Sequence, residues 1–60
     1  MLESEFVIGD VVRVKGQEQR MTISRFRYYD LVTCIWFDTE GHLQEGIFDC
    51  STLRLVKAGI

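Results

Sequence analysis

The residues with the most chemical potential in this 60-residue chain are two cysteines, one histidine and a short basic and aromatic run. Cys34 lies in "VTCIWFD", beside Trp36 and Phe37, and Cys50 follows an aspartate sixteen positions later. A zinc site would need Cys34, Cys50, His42 and a carboxylate to meet, but neither a CxxC nor an HxxxH spacing supports it, so no metal is expected. Nucleophilic catalysis by Cys34 with His42 as base lacks a third, orienting group, and a thiol among apolar neighbours is inert. No catalytic residue, cofactor or enzymatic activity is therefore expected.

The run "RFRYYD", residues 25–30, interleaves cations with aromatics. That combination binds single-stranded nucleic acid through base stacking and phosphate contact. Arg13, Lys15, Arg20, Arg25, Arg27, Tyr28 and Tyr29 are the candidate contacts. Tyr28, Tyr29 and Phe37 would alternatively line an aromatic cage for a methylated cation, although no spacing in the sequence makes them converge.

The elements that must position these residues are strands. In "DVVRVKG" Val12 and Val14 point to one side, and Val11, Arg13 and Lys15 to the other. "RMTISRFRYY" places Met21 and Ile23 on one face, but Phe26 falls out of step, which predicts a bulge in the second strand. In "LVTCIWFD" Val32, Cys34 and Trp36 share one face while Leu31, Thr33, Ile35 and Phe37 share the other. Both faces of this third strand are rich in apolar residues.

"DTEGHL" signals a tight reversal. It leads into "HLQEGIF", with Leu43, Glu45 and Ile47 opposite His42, Gln44, Gly46 and Phe48, and Gly46 allowing a bend. "DCSTL" reads as one helical or 3-10 turn capped by Asp49 or Ser51. "LRLVK" closes as a fifth strand with Leu53 and Leu55 inward. The expected core is Val12, Val14, Met21, Ile23, Val32, Cys34, Trp36, Phe48, Leu53 and Leu55. Five short strands without a long helical pattern predict an all-β fold, a small SH3-like five-stranded barrel with a 3-10 turn before its last strand.

Composition is consistent with one domain over residues 1–60, its ordered core at about 6–56. The chain is 47% hydrophobic and 27% charged, without low-complexity segments. No apolar run approaches the roughly 18 residues of a membrane span, and the opening "MLESEFVIGD" lacks the pattern of a signal peptide. Two cysteines do not make a secreted disulfide framework. A cytoplasmic protein without membrane contact is expected. The net charge of −2 argues against a whole-surface nucleic-acid binder. Charge is nonetheless uneven: residues 13–27 hold five cations and one acid, and residues 30–60 hold five acids and two cations.

The string "F-x-x-G-D-V-V-x-V-K-G", followed by "R-M-T-I", "V-x-C-x-W-F-D" and "L-x-L-V", resembles the YodC-like family of small uncharacterised bacterial proteins over residues 6–56. The resemblance implies a small β-barrel of undefined function, found in bacteria and mobile elements, and supplies no catalytic residues. Family members carry Gly-Gly-Pro before the Met-Thr pair, where this chain has Gln17-Glu18-Gln19-Arg20. The opening is also similar to that of the trimethoprim-insensitive dihydrofolate reductases, but the Val-Gln-Ile-Tyr pore segment of those enzymes is absent, leaving an analogy of fold alone.

A chain this short buries only roughly 60% of its unfolded surface. Its core rarely supplies more than about 3–5 kcal/mol without a disulfide, a metal or a partner subunit. The two-sided third strand then points to association: Leu31, Thr33, Ile35 and Phe37 form the candidate interface of a homodimer. The principal expectation is a non-enzymatic interaction module that self-associates or engages an unidentified protein. The alternative is a weak nucleic-acid-binding accessory protein using residues 13–29.

Overall fold

The computed structural model describes residues 6–59. Strands β1 (Val11–Val14), β2 (Met21–Phe26), β3 (Leu31–Phe37), β4 (Leu43–Asp49) and β5 (Leu53–Lys57) form one antiparallel sheet in the order β4-β3-β2-β1-β5. A 3-10 turn, Cys50–Thr52, precedes β5. Asp49 caps this turn, its Oδ1 accepting the Ser51 amide at 2.9 Å. The all-β expectation and the capped turn agree with this architecture.

Closure into a barrel is not seen, because β4 and β5 are the two edges of the sheet and do not pair with each other. The sheet nevertheless buries its inner face. Val12, Ile23, Val32 and Cys34 are wholly buried, and Met21 and Leu53 nearly so. Phe6, Val14, Trp36, Phe48 and Cys50 pack against them. With no helical layer among the described residues to cover that face, the sheet must curl over its own inner side chains. Leu55 departs from the inward expectation. It pairs with Val12, yet it is exposed, because β5 is an edge strand and burial at an edge requires a neighbour that the open sheet does not provide.

The bulge expected in β2 is present. Ile23 pairs with Cys34 and Arg25 with Thr33, so two steps along β2 match one along β3, and Ser24 is the surplus residue. The Ser24 hydroxyl donates to the Thr33 carbonyl at 3.2 Å. Past the bulge, Phe26 pairs with Val32, but at the end of the strand it stays exposed.

Gly46 serves packing. A Cβ there would lie 3.1 Å from the Phe48 ring and 3.3 Å from Trp36, and those two rings meet edge-on at 6.1 Å. An aromatic pair covers this position, and a side chain there would push the rings by a few tenths of an ångström.

Asp10 holds the two ends of the described chain together. Its buried carboxylate accepts the Val7 amide at 3.0 Å through Oδ2 and the Gly59 amide at 2.7 Å through Oδ1. Gly59 approaches so closely that a Cβ on it would lie 2.5 Å from the Gly9 backbone. Gly9 itself has φ +99°, which a side chain rarely tolerates. Replacing Asp10 leaves two backbone donors without their acceptor. Asp10→Ala is expected to lower stability by about 1–3 kcal/mol in urea unfolding, and Asp10→Asn, which retains one carbonyl acceptor, by less.

Candidate interaction surface

The outer face of β3 and β4 is built by the pairing register. Leu31 lies opposite Asp49, Thr33 opposite Ile47, Ile35 opposite Glu45 and Phe37 opposite Leu43. Alternation along a strand sends all eight residues to the side away from Val32 and Cys34. Four large apolar side chains on this face are exposed: Phe37 at 65%, Leu43 at 57%, Ile47 at 54% and Leu31 at 36%. Ile35 is half-buried.

Thr33 departs from its place as an exposed interface residue. It is fully buried, flanked by its cross-strand neighbours Arg25 and Ile47, and its hydroxyl has no hydrogen-bond partner among the described residues. The stripe expected on β3, which the sequence allowed Phe26 or Leu43 to extend, is widened by Leu43 and also by Ile47, whose alternation with Glu45 was the signal for it.

The structure separates the basic candidates. Arg13, half-buried on β1, points a guanidinium nitrogen at the Gln17 carbonyl, 3.4 Å away. Lys15 and Arg20 flank the exposed loop between β1 and β2. Arg25, Arg27 and Tyr28, by contrast, join Phe26, Leu31 and Ile47 around one shallow depression of about 500 Å³. The Tyr28 and Tyr29 rings lie against each other with centroids 4.1 Å apart, tilted by 44°. Tyr29 has φ +58°, a left-handed conformation unusual for a bulky residue, and the turn closes through Arg27 N–H to Leu31 O at 2.8 Å. Neither Arg25 nor Arg27 has an ion-pair partner among the described residues.

The β3–β4 turn is organised by Asp38. Its Oδ1 accepts the amides of Glu40 and His42, both at 2.9 Å, and its Oδ2 accepts the Gln44 side-chain amide at 3.0 Å. These donors, the His42 amide foremost, hold the carboxyl below the usual aspartate range. Gly41, with φ +85°, completes the reversal. His42 Nδ1 lies 3.8 Å from Asp38 and 3.7 Å from Glu40, so the histidine serves this turn and does not join the cysteines. Among the described residues, no three His, Cys, Asp or Glu side chains are grouped so as to hold a metal ion.

Cys34 is wholly buried and Cys50 half-buried, and both thiols are free. Burial first, and the nearby Cys50 second, push the Cys34 thiol up to about 11. At neutral pH it is protonated and therefore a poor nucleophile. Because the folded pKa lies above the unfolded one, the unfolded chain ionises first as pH rises. Stability is unaffected by this group below pH 9 and is lost as pH climbs from 9 towards 11. Relative to Cys34→Ala, the wild type is expected to lose up to about 2–3 kcal/mol of stability over that interval, measured by urea unfolding at each pH. A difference that does not change with pH would show that the thiol ionises as readily folded as unfolded.

No helix among the described residues is long and apolar enough to cross a membrane. Comparison with curated proteins and with solved structures gives no significant match. A family model described as an uncharacterized small protein, DUF2158, matches residues 7–53. That span runs from the turn preceding Asp10 through β1 to β4 and the 3-10 turn, and ends on the first residue of β5. By this match the chain belongs to the DUF2158 family of uncharacterized small proteins.

Proposed function

We propose that this protein is a non-enzymatic interaction module that associates with a second copy of itself through the outer face of β3 and β4. The observation that carries the reading is the exposure of Leu31, Phe37, Leu43 and Ile47 on one side of two paired strands. A solvated monomer rarely leaves so continuous an apolar patch uncovered. The small core, six buried hydrophobic residues among those described, supports the same reading, since a chain of this size gains stability by sharing a face.

We read the fold as SH3-like, which the β1–β4 meander, the return of β5 beside β1 and the 3-10 turn before that last strand support. The YodC-like sequence pattern supports a bacterial protein, and the two free cysteines support a reducing cytoplasm.

Solution mass by light scattering or sedimentation over a concentration series tests the principal reading. The wild type is expected to be a dimer, and Ile35→Glu and Phe37→Glu are expected to split it while the β-sheet circular dichroism spectrum is retained. A wild type that stays monomeric at high concentration removes this function.

The depression beside Arg25 and Arg27 favours a second reading, binding of single-stranded nucleic acid, with phosphate at the guanidinium groups and a base on the Tyr28–Tyr29 pair. Binding to an oligonucleotide is then expected at low salt, to weaken steeply as salt rises, and to fall on replacement of Arg25 and Arg27 by alanine. No binding at low salt eliminates it.

A further inference from the structure

The charges around the apolar strip are sorted by strand. On the outer face, β2 and the turn after it contribute Arg25, in the row of Thr33 and Ile47, and Arg27, in the row of Leu31 and Asp49. On the opposite flank, β4 contributes Glu45, in the row of Thr22 and Ile35, and Asp49. The apolar side chains of β3 therefore run between a basic flank and an acidic flank. All four charged residues are exposed.

Resting on the self-association reading above, we infer that two copies stack face to face about a two-fold axis running along β3, so that the basic flank of each copy meets the acidic flank of the other. Rotation about this axis keeps the rows in step and exchanges the sides, laying β2 of one copy over β4 of the second. Arg27 then faces Asp49 of the second copy, and Arg25 faces its Ile47, between Glu45 and Asp49. The other in-plane two-fold, across the strands, lays β2 on β2 and β4 on β4, setting arginine against arginine and acid against acid. Like charges opposed in this way disfavour that arrangement.

The chosen arrangement is also one that sheets adopt. Aligned sheets pack about 10 Å apart with strands within about 30° of each other, and an arginine and an aspartate together span that gap. Because the interface is isologous, each flank contact occurs twice. The depression lined by Arg25, Arg27, Leu31 and Ile47 lies where the second copy would insert its Ile47 and Asp49. Asp49 is exposed and, beyond its capping of Ser51, presents its carboxylate on this flank.

Charge reversal tests the orientation. The double variant Arg25→Glu/Arg27→Glu makes both flanks acidic, and Glu45→Lys weakens the acidic one. Asp49 is left intact because it caps the 3-10 turn. At low salt the first variant is expected to dimerise roughly tenfold or more weakly than wild type and the second a few-fold more weakly, each with unchanged circular dichroism. An equimolar mixture is expected to form a heterodimer tighter than either homodimer, and the differences should shrink as salt rises.

Should Ile35→Glu split the wild-type dimer while both charge variants dimerise at wild-type strength, or their mixture show no preference for the heterodimer, the orientation is wrong and the apolar interface stands. A monomeric wild type removes the interface itself and this orientation with it.

Discussion

Ser24 is one residue more than the β2–β3 ladder can pair, and that surplus decides which side of the sheet Arg25 occupies. Met21 and Ile23 face inward, so strict alternation would send Arg25 in beside them. Burying an unpaired guanidinium costs several kcal/mol, a large share of what a chain this small can have. The bulge advances the phase by one residue, turning Arg25 outward beside Thr33 and returning Phe26 to the side of Val32. The basic flank, the depression beside it and the sorting of charge across the outer face all follow from that single insertion.

The bulge shapes the middle of the sheet, and Asp10 secures its ends. The β1–β5 pairing joins segments about 40 residues apart, and such a closure is entropically costly. Gly9, Asp10 and Gly59 reinforce it where the chain ends come together: two amides converge on one carboxylate, and two glycine backbones touch. Gly9 N–H to Ile23 O and Ile23 N–H to Asp10 O, both at 2.9 Å, tie the same corner to β2. The "Gly-Asp" before the first strand is thus a structural joint as well as a strand boundary. The remaining edges, β4 and β5, stay open, and β4 carries the exposed face that association would cover.

Much of this was legible because β-structure writes its pattern into the sequence at short range. The two sides of β4, the inward set Val12, Ile23, Val32 and Cys34, the capped turn after Asp49 and the bulge before Phe26 all follow from local alternation and turn chemistry. Three features did not. Leu55 alternates as an inward residue but has no neighbour to cover it. Thr33 alternates outward but is buried by its position between Arg25 and Ile47. Asp38 stands in a turn signal that names no partner for its carboxylate but gathers three hydrogen bonds from residues up to six positions away.

The sequence by itself determined the strands, their faces and the excess of apolar residues on β3, since each depends on side-chain type and a period of two along one segment. It also determined that cations gather in residues 13–27 and acids outnumber them in residues 30–60. Only the tertiary structure decided that Arg25 and Arg27 lie along one side of the apolar strip and Glu45 and Asp49 along the other, that Thr33 is covered and Leu55 is not, and that the sheet stays open. Those outcomes depend on which strands are neighbours and in what register, and a register is a relation between distant segments that no single segment carries.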